Sequence, residues 1–281
     1  MTTSGFSNAI RQPVLFVSHG APTYALTPGL AGQQLCWVGQ QLERPAAVLV
    51  LSPHWITDQP CVAVTPAPLT IHDFGGFDPA LYRLTYPAVG HPELAAQAIE
   101  LLNHAGWRAQ ADSQWGLDHG AWIPLRHLFP QANIPVYQVS MPASLDEDAA
   151  LAYGQALAPL ADKGVLIVGS GSLTHNLFEF RTDGSHEADY AKAFVAWIRN
   201  AAVSGNSTRL LRALELAPYA RRAHPTKEHY LPLLIALGAA HQELPMTVLP
   251  GGITHGVLSM ESYLFGKQLV GLPTNEVVAP C

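Results

Sequence analysis

Short apolar runs that end at a polar residue or a glycine recur along the chain and predict buried strands. The run at 14–18 leads into His19, and the run at 47–52 leads into His54. A third run ends at Gly-Ser-Gly and is followed by His175. Because α/β proteins place their chemistry at the carboxyl edge of the sheet, this recurrence predicts that the histidines converge there.

The rest of the sequence alternates between helical and extended patterns, without a low-complexity linker. Helices are predicted near 30–41, 92–104, 122–128, 146–160, 186–203, 207–214 and 223–233, the last with Thr226 as its N-cap. Further strands are predicted near 61–65, 107–110, 135–139, 164–168, 245–249 and 255–264. This alternation predicts a single α/β domain whose central sheet is mainly parallel or mixed and is flanked by helices. We expect a flexible N-terminus over 1–12, the folded domain over 13–270 and a C-terminal tail over 271–281.

Two long polar segments, 66–90 and 112–121, interrupt this alternation and contain His72 and His119. Loops of this length without obvious secondary structure are usually lids or binding loops, although an ordinary structural loop is an equal alternative here.

Composition narrows the class of protein. Of the 281 residues, 48% are hydrophobic and only 13% are charged, so we expect a well-packed core. The net charge is −6 and there is no Lys/Arg-rich run, which argues against nucleic acid as a partner. No apolar stretch reaches the ~18 residues of a membrane helix, and no secretory signal is visible. Three scattered cysteines are typical of reduced thiols, so a cytoplasmic location is expected.

The 13 histidines are the unusual feature of the composition. A histidine is more often structural than functional, and we assign that role to His91, His104, His127, His186 and His241, leaving His255 open. The candidates for chemistry are His19, His54, His72, His119, His175 and His229. A site built from neutral imidazoles favours a transition metal over magnesium or calcium.

Other chemistry at the candidate positions is less well supported. Adjacent helical residues point about 100° apart, so Glu228 and His229 are unlikely to ligate one metal together, and the apolar residues after Tyr230 favour His229.

The Gly-Ser-Gly-Ser segment at 169–172 does not match the nucleophile elbow of serine hydrolases, and no phosphate-binding loop is present.

Six segments, in order along the chain, resemble a known family. They are FVSHGAP, LSPHW, TIHDFGGFDPALYRLTYPA, GLDHGAW, VGSGSLTHNL and HPTKEHYLPL. Together they resemble the class III extradiol ring-cleaving dioxygenases, and within them the 4,5-DOPA dioxygenase-like group, which is related to the protocatechuate 4,5-dioxygenase catalytic subunit. The resemblance extends from about residue 13 to residue 264 and implies a single α/β domain.

The resemblance implies a role for each candidate histidine. The metal ligands would be His19, His54 and His229, and the active-site acid and base would be His175, which is also a possible further ligand in a resting zinc form. His119 would act in catalysis by supporting the ligands or contacting the substrate. The group's reaction uses O2 to open the ring of a catechol-type, possibly DOPA-like, substrate. Fe(II) is the metal expected for this activity, and Zn(II) is a possible bound species.

The long loop at 66–90 contributes the remaining substrate candidates. His72, Phe74 and Tyr82, together with Asp73, would form a lid or wall whose rings pack on an aromatic substrate. The expected partners are therefore a small aromatic diol and O2, without nucleic acid or membrane, for a monomer or homodimer.

Two alternatives stay open on the sequence. Three histidines and an open position also describe a zinc-dependent hydrolase, in which the metal activates water. A non-catalytic binding protein of the same fold is the second alternative.

Overall fold

The computed structural model describes residues 10–182, 186–240 and 245–274. Its strands are β1 (Val14–Ser18), β2 (Ala47–Leu51), β3 (Ile56–Thr57), β4 (Cys61–Ala63), β5 (Gln110–Asp112), β6 (Val136–Gln138), β7 (Met141–Pro142), β8 (Val165–Gly171), β9 (Met246–Leu249), β10 (Ile253–Thr254), β11 (Leu258–Ser259) and β12 (Ser262–Phe265). Its α-helices are α1 (Gly29–Gln41), α2 (Pro92–His104), α3 (His119–Leu128), α4 (Glu147–Leu157), α5 (Asp189–Val203), α6 (Ser207–Leu211), α7 (Ala213–Leu216), α8 (Ala220–Ala223) and α9 (Leu231–Ala239).

The central sheet has the strand order β6-β2-β8-β1-β12-β9. The first four strands are parallel, whereas β12 runs antiparallel to both β1 and β9. The predicted mainly parallel or mixed sheet is therefore confirmed. Ser18 of β1 pairs with Gly171 of β8, and Leu51 of β2 pairs with Gly169. The carboxyl ends of these three strands thus meet at one edge of the sheet.

Helices cover both faces of the sheet and explain the continuous apolar runs of its strands. Val14 and Phe16 of β1 belong to a core cluster with buried residues of α2, α4, α5 and α9. Leu15 and Val17 belong to a second cluster, which includes buried residues of α1 and α3. Successive side chains of a strand point to opposite faces, so the two clusters lie on opposite sides of the sheet. The α/β prediction is confirmed as helix, sheet and helix layers.

Helix α3 begins earlier than the predicted 122–128. Asp118 caps it, because its side chain accepts a hydrogen bond from the backbone N–H of Ala121. His119 therefore lies in the first turn of a helix, and the prediction that places it in a loop is wrong.

Helix α9 begins later than predicted. It starts at Leu231, with Pro232 in its first turn, and it has no side-chain cap. The hydroxyl of Thr226 donates to the carboxylate of Glu228 instead, so the predicted N-cap is wrong. His229 consequently lies in the turn before the helix rather than in its first turn.

Several other boundaries differ from the predicted ones. Strand β5 is shifted toward the carboxyl terminus, the helix predicted at 207–214 is divided into α6 and α7, and the strand predicted at 255–264 is divided into β11 and β12. Strand β8 extends through Gly171, which places the Gly-Ser-Gly segment inside the sheet.

Some predictions fall partly outside the described residues. The predicted N-terminal and C-terminal segments are described only over 10–12 and 271–274, and His241 lies outside the described residues. Cys61 has a free thiol, in agreement with the prediction of reduced thiols for this residue, and Cys281 lies outside the described residues. Within the described part of the chain, no helix is long and apolar enough to cross a membrane.

Helices α4 and α9 approach each other through glycines. A Cβ atom on Gly154 of α4 would lie 1.9 Å from the carbonyl oxygen of Ile235, and a Cβ on Gly238 of α9 would lie 2.1 Å from that of Leu151. We predict that Gly154→Ala lowers the free energy of unfolding by about 1–3 kcal/mol, because the helices must separate. Urea denaturation measures this change. Gly75→Ala is the control, since no atom lies within 4 Å of its added Cβ, and equal losses in both variants would contradict the prediction.

His127 is a buried structural histidine whose Nε2 lies 3.0 Å from the carbonyl oxygen of Tyr24. Burial lowers the pKa of His127 to about 4, below the value of about 6.5 in an unfolded chain. The unfolded state binds the extra proton between these values, so the free energy of unfolding should fall as the pH drops from about 6.5 to about 4. We predict that His127→Gln reduces this loss by up to about 3 kcal/mol, measured by denaturation across that pH window. Identical pH profiles in both proteins would contradict the prediction.

Candidate metal centre

His19 and His54 reach the carboxyl edge of the sheet on neighbouring segments. His19 directly follows β1, and its backbone N–H donates to the carbonyl of Gly171 at the end of β8 (2.9 Å). His54 lies in the turn after β2, where its backbone N–H faces the hydroxyl oxygen of Ser52 at 3.3 Å. The two Nε2 atoms lie 3.2 Å apart. The convergence that the strand ends predict is therefore present for this pair.

His229 joins them because glycines in β8 allow a close backbone approach. A Cβ on Gly171 would lie 2.3 Å from the carbonyl oxygen of His229, and a Cβ on Gly169 would lie 2.2 Å from that of Pro232. The same His229 carbonyl accepts a hydrogen bond from the backbone N–H of Ser172 (2.9 Å). The Gly-Ser-Gly segment thus allows the turn before α9 to pack closely against β8.

Each of these three imidazoles has a polar partner at Nδ1. Ser170 Oγ lies 2.9 Å from Nδ1 of His19 and donates its own proton to the carbonyl of Gly120 (2.5 Å), so it accepts from the imidazole. Nδ1 of His229 lies 3.1 Å from the Glu228 carboxylate. Nδ1 of His54 lies 3.5 Å from Oδ2 of Asp73.

The Nε2 atoms of the three rings are suited to hold a metal ion. One ligand atom from each of His19, His54 and His229 lies within 4.8 Å of the others. Nε2 of His229 is buried and has no hydrogen-bond partner among the described residues, which is costly unless it binds something. Nε2 of His19 carries no proton when Nδ1 donates to Ser170. A divalent transition metal between the Nε2 atoms would satisfy them, so these residues fit such an ion.

Electrostatics keep these rings neutral. Burial, and then the neighbouring His54, holds the pKa of His19 well below its usual value. Burial and then His175 do the same to the pKa of His229. Burial, reinforced by His119, lowers the pKa of His54 to about 3. Neutral imidazole is the form that binds a metal.

Two further histidines adjoin this group. The ring of His175 stacks on that of His229, with centroids 3.4 Å apart and planes 9° apart. Burial lowers the pKa of His175. The Glu228 carboxylate raises this pKa and His119 lowers it, and both effects are smaller than that of burial. The ring of His119 lies 3.9 Å from that of His54, measured between centroids. The structure therefore brings together five of the six candidate histidines.

A family model described as the catalytic LigB subunit of aromatic ring-opening dioxygenase matches residues 15–263. The chain belongs to this family. It is 39% identical over 254 residues to a 4,5-DOPA dioxygenase extradiol of Beta vulgaris. The aligned region covers 89% of this chain and 95% of that protein. A protein of the same name from Escherichia coli K12 is 37% identical over 267 residues, 92% of this chain and 96% of that one.

A solved structure supports the same relationship. The crystal structure of uncharacterized protein JW3007 from Escherichia coli K12 has a TM-score of 0.75 and 31% sequence identity, and it covers 91% of this chain and 100% of that one. The protein is therefore an extradiol dioxygenase that opens an aromatic ring. Neither the zinc hydrolase nor the non-catalytic binding protein is favoured.

The aromatic residues of the long loop differ in their contacts with the histidine group. Phe74 contacts His119 edge to face, with centroids 5.7 Å apart. Tyr82 and His72 contact Phe74 from its other sides, at 5.2 Å and 5.7 Å. His72 also bonds the carbonyl of Leu84 (2.9 Å). Phe74 is thus the loop residue of these three with a ring contact to the histidine group.

The remaining described histidines have local partners. The side chain of His91 accepts a hydrogen bond at the start of α2, and the rings of His104 and His186 bond nearby backbone carbonyls. His255 stacks on Phe180 and bonds Thr23, and among the described residues it has no ring contact with the histidine group.

Two polar contacts of the histidine group, from Ser170 and from Asp73, are not predicted by the sequence pattern. Asp73 directly follows His72 in the loop that is predicted to contact the substrate. Its position beside a candidate site residue is the sequence signal that could have indicated a functional carboxylate. The sequence has no comparable signal for Ser170, because its partner His19 lies 151 positions away.

Proposed function

We propose that this dioxygenase holds one Fe(II) ion between His19, His54 and His229 and cleaves catechols beside the two hydroxyl groups. The observation that supports these ligands most directly is the shared arrangement of the rings. Each Nδ1 faces a polar partner, and the Nε2 atoms of His19 and His54 lie 3.2 Å apart beside the unpartnered Nε2 of His229. Zn(II) has the same preference for imidazole and is the alternative bound species.

The metal, when bound, would supply positions for the catechol oxygens and O2 and a path for electrons between them. The protein orients the substrate and handles its protons. Three neutral ligands leave the full positive charge of the ion in the site, which favours binding of the catechol as an anion.

We assign proton transfer to His175. Its ring lies directly against His229, and within the described ranges the ring nitrogens make no hydrogen bond, so they are available to a substrate hydroxyl. It would accept a proton from the catechol and return it later in the cycle. His119, between Phe74 and His54, would contact the substrate from the other side.

We propose a DOPA-like catechol as the substrate. Four relatives at 34–39% identity have the name 4,5-DOPA dioxygenase extradiol. Phe74, with Tyr82 and His72 behind it, would form the wall against which the aromatic ring packs.

The wider assignments follow from the sequence. We propose residues 13–270 as the catalytic domain, a range that encloses the family match at 15–263. A cytoplasmic location, a monomeric or homodimeric state and the absence of nucleic-acid and membrane partners stay predictions.

Oxygen uptake tests the proposed reaction. We predict that protein loaded anaerobically with Fe(II) consumes one O2 per DOPA or simpler catechol and forms a yellow ring-opened semialdehyde. An oxygen electrode and an absorbance spectrum measure both. The Zn(II) form, assayed on catechols and on esters, is the control for a hydrolase. Fe(II) protein that binds its metal but consumes no O2 with a panel of catechols would contradict the proposal.

Replacement of His175 tests the proton-transfer assignment. We predict that His175→Ala keeps its metal and lowers kcat by about 10²–10⁴-fold, because a positioned acid and base contributes that much. Metal content and steady-state kinetics measure this. His255→Ala, at a histidine outside the site, is the control. Turnover close to wild type in metal-loaded His175→Ala would reject the assignment.

A further inference from the structure

Asp73 lies in the middle of the 66–90 loop, with its side chain turned into the dioxygenase site. The side chain is 21% exposed, and in the described part of the chain no Lys or Arg lies within ion-pair distance of it. Its polar partners are instead His119 and His54. A carboxylate placed this way differs from an ordinary surface acid, because its charge is directed at imidazoles.

Both oxygens of Asp73 engage His119. Oδ1 accepts the backbone N–H of His119 at 2.8 Å, and Oδ2 lies 2.9 Å from its Nδ1. An ionised carboxylate only accepts hydrogen bonds, so Nδ1 of His119 carries the proton. This contact selects one tautomer and leaves Nε2 as the nitrogen that can accept a proton or hydrogen bond.

The same Oδ2 atom also faces a proposed metal ligand. It lies 3.5 Å from Nδ1 of His54, and Nε2 on the far side of that ring faces His19. One oxygen thus faces the Nδ1 atoms of both His54 and His119, whose ring centroids are 3.9 Å apart. A carboxylate at Nδ1 fixes the orientation of a ligating imidazole and raises its basicity.

The loop around Asp73 is held in place by contacts that do not involve the site. The indole N–H of Trp122 donates to the carbonyl of Ile71 (3.0 Å), and His72 bonds the carbonyl of Leu84. The next residue, Phe74, contacts the ring of His119. One anchored segment therefore supplies both an aromatic contact and a carboxylate to the histidine group.

We propose that Asp73 is a positioning residue that fixes His54 as a metal ligand and His119 as its Nδ1-protonated tautomer. It links the substrate-facing loop to the metal centre, so the loop conformation and the metal affinity depend on each other. The inference rests on the proposed function, because it takes His54 to be a ligand.

The test uses Asp73→Asn in the full chain. The amide has one acceptor oxygen, and when this accepts the backbone N–H of His119, the NH2 group faces Nδ1. We expect Zn(II) affinity to fall about 10–100-fold, measured by competition with a chromophoric chelator. We also expect the proton of His119 to move to Nε2, which ¹⁵N NMR of the imidazoles in the Zn(II) form reports directly.

Asp78→Asn is the matched control, since Asp78 lies in the same loop and its carboxylate accepts only the backbone N–H of Ala80 (2.7 Å) among the described contacts. It should leave both readouts unchanged. Asp73→Ser, which also lacks the second acceptor, is the second variant if Asp73→Asn does not fold. Wild-type Zn(II) affinity or an unchanged His119 tautomer in folded Asp73→Asn would overturn the inference. Failure of the wild-type protein to bind Zn(II) would instead overturn the proposed function.

Discussion

The group of His19, His54 and His229 depends on the polar atom that faces the outer nitrogen, Nδ1, of each imidazole. A histidine has two similar nitrogens, and a ring without a partner at one of them can present either. Ser170, Asp73 and Glu228 each engage one Nδ1, so His19 and His229 present Nε2 to a common point together with His54. Burial adds a second constraint, because it keeps the rings neutral and therefore able to bind a metal.

This arrangement requires a close contact between the sheet and the last helix of the core. Gly169 and Gly171 lack the side chains that would push the backbone of His229 and Pro232 away from β8. Helix α9 is buried all round, so it is held by packing rather than by exposed polar contacts. The position of one proposed ligand is thus determined by core packing, whereas His19 and His54 are placed by the strands they follow.

The family relationship and the geometry support each other at different levels. The family match over residues 15–263 shows an aromatic ring-opening dioxygenase. The alignments with the two relatives named 4,5-DOPA dioxygenase extradiol cover almost the full length of those proteins. The geometry explains how such a chain can hold a metal with imidazoles. The loop with Phe74 then adds an aromatic wall to the same group of histidines, which suits a flat, aromatic substrate.

The sequence alone determined the α/β class, most element positions and the strand ends at His19 and His54, because apolar runs and glycine stops are local signals. The family motifs added the separate roles of His175 and His229, which the residue pattern had only marked as candidates. The start of α3 follows from the Asp118 cap, a local signal that the predicted start at 122 overlooked. The late start of α9 depends on packing against β8, which local patterns do not encode. Only the tertiary structure decided that Ser170 and Asp73 contact the Nδ1 atoms of the histidines. Those contacts join residues 151 and 46 positions apart, and short-range periodicity has no information on such pairs.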